Sequence, residues 1–195
     1  MYLRDFANFY GLQETDLTRV LRIIGLQFDI KRGPVLAGGA IIRWFNKEEE
    51  ADFDIYCFSQ KQEEKILKIL MKKYKLLKVS NYVYTFKVLW YTVQIVQYSF
   101  HKGNNVKQVF SKFDFTVCKV ATDGKKIVYK QNWVSDVVNK KLKIKHIKTA
   151  EDTLRRIIKY TSRGYTMSYK QKLEFLTKVR HSDILLSNTA DVSEL

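Results

Sequence analysis

The sequence predicts an α+β fold, on three observations. Helical spacing of apolar residues opens the chain, β-rich alternating runs fill its middle, and after about residue 131 helical patterns dominate. Helices, a mixed sheet and then helices again is the order expected of segregated α+β architecture rather than of regular βαβ alternation.

Taken in order, Leu17, Val20, Leu21, Ile24 and Phe28 recur every three or four residues, which predicts an amphipathic helix over 15–28. Gly33-Pro34 breaks that pattern. The apolar run Val35-Leu36-Ala37 leads into Gly38-Gly39 and a short helix over 40–45. Residues 52–58, DFDIYCF, alternate and are rich in strand formers. Ser59 and Gln62 form a capping box before a helix with Ile66, Ile69, Leu70 and Tyr74 on one face. Residues 82–89 and 91–97 are close enough to pair as a hairpin, and Gly103-Asn104-Asn105 is a turn. Residues 113–121, FDFTVCKVA, read as another strand, and Asp123-Gly124 turns it back into Ile127-Val128-Tyr129. The K-L-K-I-K alternation within 140–148 predicts an exposed edge strand. Thr149 with Asp152 caps a helix over 150–164, Ser168 starts another to about 180, and the polar stretch 187–195 is expected to fray. A soft boundary near 145 divides a mixed domain, residues 1–145, from a basic helical segment, 146–195.

Composition narrows the function classes. With 46% hydrophobic and 14% aromatic residues the chain is long enough to bury a core. One Pro and eight Gly exclude collagenous or Pro-rich linker proteins. No apolar run approaches a membrane span, no secretory signal is visible at MYLRDFANFY, and two Cys make no disulfide framework. These features predict a cytoplasmic protein with no membrane partner. The net charge of +15 fits a polyanionic partner, most simply nucleic acid and with the other features RNA, or else a merely lysine-rich surface. Its distribution is uneven: residues 47–64 are acid-rich, whereas 140–180 hold thirteen Lys/Arg against three Asp/Glu.

The chemistry-bearing residues begin with Asp52 and Asp54. On a strand, i and i+2 share a face about 7 Å apart, so both carboxylates project together while Phe53 and Ile55 face a core. Such a pair is costly unless a cation lies between them or one carboxyl holds a proton. Hard oxygen ligands suit Mg²⁺, with Mn²⁺ as a substitute. A two-ion site needs a further acid, for which Asp114 is the candidate. Acids that simply face water at a strand start are the plainer reading of D-x-D. Gly38-Gly39, between strand and helix, allows close approach of a phosphate, or is an ordinary turn. Neither a Rossmann fingerprint nor a P-loop is present. Arg155, Lys159 and Arg163 form a basic helical stripe opposite Leu154, Ile157 and Ile158, suited to phosphate contact or to solvent. Tyr160, Tyr165 and Tyr169 are candidates for base stacking or for the core. His101, His146 and His181 lack zinc spacing, and Cys57 reads as a small core hydrophobe.

The segment 36–58, LAGGAIIRWFNKEEEADFDIYCF, resembles the signature of the polymerase-beta-like nucleotidyltransferases: apolar strand, Gly-Gly, helix, then D-x-D on the next strand. Gln94-Ile95-Val96 followed by Phe113-Asp114-Phe115 fits that superfamily's later third carboxylate. Residues 150–167, AEDTLRRIIKYTSRGYTM, are similar to a nucleotide-binding segment of the bacterial poly(A) polymerase and tRNA CCA-adding branch, through Asp152, Leu154, Arg155, Gly164 and Tyr165. The branch's Arg-Asp after Gly-Gly is here Arg43-Trp44, which suggests a small stand-alone or phage-type member. The resemblance implies transfer of a nucleoside monophosphate from a nucleoside triphosphate to an acceptor hydroxyl, on RNA or tRNA, with release of pyrophosphate. It implies that Asp52, Asp54 and Asp114 are catalytic and hold two Mg²⁺ ions. It further implies that Gly38, Gly39, Arg43, Asp152, Arg155 and Lys159 bind the nucleotide. A non-catalytic basic RNA-binding protein, or a phage structural or interaction protein that keeps the fold, is the alternative.

Overall fold

The alternation of DFDIYCF decides which way the central sheet faces. Phe53 and Ile55 are buried while Asp54 and Tyr56 are partly exposed, so β2 (Phe53–Tyr56) turns its apolar side to the main core and its acid to the other face. The structure, a computed structural model, describes residues 1–190 apart from 14, 26, 49–51 and 148. Around β2 lie β1 (Val35–Ala37), β3 (Lys75–Val79), β4 (Val83–Val88), β5 (Tyr91–Val96), β6 (Val120–Thr122) and β7 (Ile127–Tyr129). They form one mixed sheet in the order β3-β4-β5-β2-β1-β6-β7. Only β2 and β5 pair in parallel, with Asp54 opposite Gln94; every other neighbouring pair is antiparallel.

The helices are α1 (Leu3–Phe9), α2 (Thr15–Ile24), α3 (Gly39–Phe45), α4 (Gln60–Lys73), α5 (Tyr98–His101), α6 (Val106–Ser111), α7 (Trp133–Val138), α8 (Ala150–Thr161) and α9 (Tyr169–Ala190). The main core gathers Leu36, Ile55, Val93 and Ile95 from the sheet with Leu17, Ile24 and Leu70 from α2 and α4. A smaller cluster on the opposite face joins Val35, Ala37 and Ala121 to Val109 and Phe110 of α6, with Tyr56 packed against it. β1 therefore has a buried residue at every position, as its unbroken apolar run requires.

Local signals hold where the chemistry is short-range. The Ser59 side chain accepts from the Gln62 amide at the start of α4. The return arm of the expected box is different: Gln62 Oε1 accepts from the Phe58 N–H at 2.8 Å, and Nε2 donates to the Arg32 carbonyl at 2.6 Å. Thr149 caps α8 by accepting from the Asp152 amide. The Asp123-Gly124 turn joins β6 to β7, with the Asp123 carboxylate accepting from the amides of Lys125 and Lys126.

Four expectations are corrected. The helix expected over 15–28 stops at Ile24, because Gly25 takes φ +71; Phe28 packs against the core from outside it. Residues 113–121 are not one strand. Phe115 forms an isolated bridge to Ile144, residues 116–118 coil into a single 3₁₀ turn, and only Val120–Thr122 join the sheet. The buried polar residues of this stretch are held from outside the sheet, Asp114 by Arg156 and Thr116 by the Asp136 carboxylate. The K-L-K-I-K segment is not a sheet edge. It threads between residues 115 and 166 by single bridges, with Leu142 in the core, and β3 and β7 are the edges. Helix α9 runs to Ala190, ten residues beyond its expected end; the remainder of the stretch expected to fray, 191–195, lies outside the described residues. Among the described residues no helix is long and apolar enough to cross a membrane.

Candidate functional site

The face of the sheet that carries Asp54 is roofed by α8, and two connected clefts lie between them. The inner one, about 220 Å³, is lined by Gly38, Gly39, Asp54, Asp114, Asp152 and Arg156, among others. The outer one, about 400 Å³, is lined by Gly39, Arg43, Asp52, Asp54, Lys159 and Arg163, with Trp90 at its rim. Gly39, Asp54, Lys159 and Tyr160 belong to both, so Asp54 stands where the clefts meet.

Each position follows from its element. Asp52 is exposed just before β2 and accepts from Gln94 Nε2 of β5 at 3.3 Å. Asp54 is partly exposed by area, yet neighbours crowd its carboxyl. Burial is the main cause that pushes its pKa up to about 7; negative Asp52 adds to the rise, and Lys159 and Arg156 oppose it. Gly38 takes φ +82 as the chain turns from β1 into α3, and its amide donates to the Val120 carbonyl at 3.0 Å. A side chain there would be strained, whereas a Cβ on Gly39 would meet nothing within 4 Å. The Gly39 backbone thus borders open space in both clefts.

Asp114 is held differently from the other two acids. It is 3% exposed; its Oδ2 accepts from Arg156 at 2.7 Å and from the Thr153 hydroxyl at 3.4 Å. Its Oδ1 is buried with no hydrogen-bond partner among the described residues. Its backbone carbonyl takes the Lys145 amide at 2.6 Å, which fixes the 113–115 segment beneath the start of α8. Among the described residues no three His, Cys, Asp or Glu side chains come close enough to hold one metal ion. The crowded pair Asp52 and Asp54 fits a single divalent cation that keeps waters, since the cation would offset the burial that chiefly raises the Asp54 pKa and the repulsion by Asp52 that adds to it. Asp114 shares the inner cleft with Asp54 but has one oxygen engaged by Arg156.

Along α8 and the turn after it, the cleft-lining residues include Asp152, Arg156, Lys159 and Arg163. Arg155 lies outside both clefts; it is 76% exposed at its side chain and pairs with Asp152 at 2.8 Å. The stripe expected at 155, 159 and 163 is therefore rotated at its first member, and Arg156 takes that place. The cause is Asp114, whose buried charge recruits the neighbouring arginine. Of the apolar stripe, Leu154 and Ile158 are about half exposed and Ile157 packs against the core; Thr153 and Tyr160 are the buried positions of α8. Tyr160 and Tyr165 are core residues in edge-to-face contact at 5.3 Å, and Tyr169 is 81% exposed. Cys57 is buried, and Cys118, against the Tyr160 hydroxyl at 3.1 Å, has its thiol pushed up to about 11 by burial. His101 is buried at the inner cleft and its pKa is lowered to about 4 by burial.

Sequence reading missed Arg156 and Trp90. Arg156 had a signal in the RR pair, but only contact with Asp114 chooses between its two members.

A pH prediction follows from Asp54. Its ordinary value is 3.8 and its folded value about 7, so between those pH values the unfolded chain releases a proton that the folded one retains. The stability this retention contributes in acid is lost as pH rises through 7. In metal-free protein, Asp54→Asn should melt higher than the wild type at about pH 8, and that difference should vanish near pH 4. Thermal melts of both proteins across pH measure it, and Mg²⁺ should raise the wild-type melting temperature more than that of the variant.

Solved structures of similar shape are nucleotidyltransferases. A CCA-adding enzyme in complex with CTP aligns with a TM-score of 0.65 at 15% identity, over 93% of this chain and 45% of that one. The Thermotoga maritima CCA-adding enzyme complexed with tRNA aligns at 0.58 and 18%, over 84% and 41%. A tRNA nucleotidyltransferase with primer tRNA and an incoming ATP analogue aligns at 0.56 and 11%, over 87% and 51%. At these identities the likeness establishes the fold: a nucleotidyltransferase-like mixed sheet flanked by helices, with a helical C-terminal part. The chain spans about half the length of these structures. No curated protein sequence matches it. The sequence profile of Gabija anti-defense 2 family proteins matches residues 11–140, well over half of the chain, and the protein belongs to that family.

Proposed function

We propose that the protein is a metal-dependent nucleotidyltransferase that moves a nucleoside monophosphate from a nucleoside triphosphate to a hydroxyl on RNA, in the service of counter-defence. The observation that carries the reading is Asp54. A carboxyl with a pKa pushed to about 7 stands between two clefts, beside a second acid, a glycine turn and three cationic side chains. A purely structural acid gains nothing from such crowding.

In this reading residues 1–145 are the catalytic domain, and α8 of the segment 146–195 roofs the cleft. Asp52 and Asp54 hold a divalent ion, Mg²⁺ or Mn²⁺, which when bound neutralises charge on the reacting phosphate. The Gly38-Gly39 backbone approaches the triphosphate. Arg43, Lys159 and Arg163 draw its oxygens into position by charge, and Asp152 orients the nucleotide from α8. The acceptor oxygen forms a bond to the α-phosphorus as the bond to the β-phosphate breaks, and pyrophosphate departs. The acceptor's proton passes to a carboxylate; Asp114 Oδ1, uncommitted and buried, is suited to take it. Arg155 contacts nucleotide only if its pairing with Asp152 is exchanged.

The test is label transfer. Purified protein with Mg²⁺ or Mn²⁺ is incubated with each labelled nucleoside triphosphate and a pool of small RNAs, beside the Asp52→Ala/Asp54→Ala variant. Label on RNA from the wild type alone is the expected result. Neither transfer nor metal-dependent triphosphate binding would overturn the reading.

A second reading is favoured by one observation, the Arg156–Asp114 ion pair. A third acid already neutralised by arginine suits a protein that keeps the fold to bind RNA or a defence component without catalysis. That reading expects the acid variants to retain counter-defence activity.

A further inference from the structure

The hairpin between β4 and β5 is the most unusual piece of surface near the clefts. Val88 pairs with Tyr91, so Leu89 and Trp90 alone make the turn. Two-residue turns favour Gly, Asn or Asp, because the first position takes positive φ. Here Leu89 takes φ +55, a conformation a bulky side chain adopts at a cost. Both turn residues are large and apolar, and both are about half exposed: Leu89 52% and Trp90 53%. Strain spent on pushing an indole into solvent is a sign of use rather than of folding.

Trp90 is also held in place. Lys87 Nζ donates to its carbonyl at 2.8 Å, and the Arg19 guanidinium of α2 lies over its ring, 4.8 Å from the centroid. Half-exposed Trp90 lines the outer cleft together with Arg43, Lys159 and Arg163. The other two tryptophans are interior, Trp44 at 8% and Trp133 at 0% exposure.

We propose that Trp90 is a stacking platform for a base of the single-stranded RNA acceptor. This rests on the nucleotidyltransferase reading and adds where the acceptor strand enters. Aromatic rings accept any base by its π-face, and cationic grooves track the backbone, which is how single strands are bound without sequence preference. A strand is favoured over a free nucleotide because the platform lies at the open rim, where an occupant continues into solvent. The charge of +15 complements the strand.

The test uses the full-length protein with a short oligoadenylate, and separately with each nucleoside triphosphate, read by tryptophan fluorescence and by an independent binding isotherm. Since Trp90 is the exposed one of the three tryptophans, oligoadenylate should quench the emission accessible to iodide. Trp90→Leu should weaken oligoadenylate binding about tenfold with an unchanged salt slope, and Trp90→Phe should restore most of it. Triphosphate binding should be the same in all three proteins. Equal oligoadenylate affinity in wild type and Trp90→Leu would overturn the platform while leaving the enzyme reading intact. Loss of triphosphate binding in Trp90→Leu would also overturn it, assigning the ring to the nucleotide instead. Wild type that binds triphosphate but no oligoadenylate would reject the platform alone; wild type that binds neither would reject both.

Discussion

Asp54→Asn should reduce label transfer by about 10³-fold or more while the protein stays folded, equivalent to about 4 kcal/mol of transition-state stabilisation. The substitution keeps the shape of the side chain and removes its charge. Nothing in the core depends on that charge, because Phe53 and Ile55 carry the strand's packing on the opposite face. The variant should therefore separate activity from stability in opposite directions, losing transfer while gaining thermal resistance at neutral pH in the absence of metal. Steady-state transfer rates beside melting curves measure both. A variant that kept most of its activity would remove Asp54 from the chemistry and favour the non-catalytic reading.

Trp133→Ala should lose about 3–5 kcal/mol of stability, a large share of the roughly 5–15 kcal/mol that holds a domain folded. Trp133 is fully buried at the start of α7, and its ring lies 5.2 Å from Phe45, edge to face, and 5.6 Å from Tyr129. Its Nε1 donates to the Val117 carbonyl at 2.6 Å, so truncation leaves both a cavity and an unsatisfied buried acceptor. Val117 lies in the 3₁₀ turn that follows Asp114. The loss should thus be felt in the site as well as in urea unfolding. Trp133→Phe, which refills most of the space but not the hydrogen bond, should cost about 1 kcal/mol by the same measurement.

Several parts of this architecture were legible before any coordinates. Asp54 of β2 and Asp52 just before it line one cleft because strand parity is a local rule, and Phe53 between them is buried in the core. Gly38 was readable because its positive φ is a local demand. The caps at Ser59 and Thr149 were readable for the same reason: a side chain reaches an amide three residues away whatever the rest of the fold does. What escaped was long-range. β3 is an edge strand with most of its residues exposed, and its sequence, KLLKV, reads as the end of a helix until β4 pairs with it. Short helices such as α1 and α7 fall below the length at which periodicity is visible, and they exist by packing Phe6 and Trp133 into one aromatic cluster.

The sequence by itself determined the α+β class, the acidic pair on its strand, the glycine turn and the basic character of the C-terminal helices, since each rests on periodicity, chain geometry or charge that neighbouring residues settle among themselves. Tertiary structure decided the rest. It broke the 113–121 segment into a bridge, a turn and a short strand, with Asp114 and Thr116 held from outside the sheet by Arg156 and Asp136. It chose Arg156 over Arg155 because only one of them reaches the Asp114 carboxylate. It set Trp90 at the mouth of the cleft because that hairpin's tip meets α2 and faces α8. A buried charge and a crowded segment are resolved by whichever partner the fold brings within reach, and that partner lies some forty residues away along the chain.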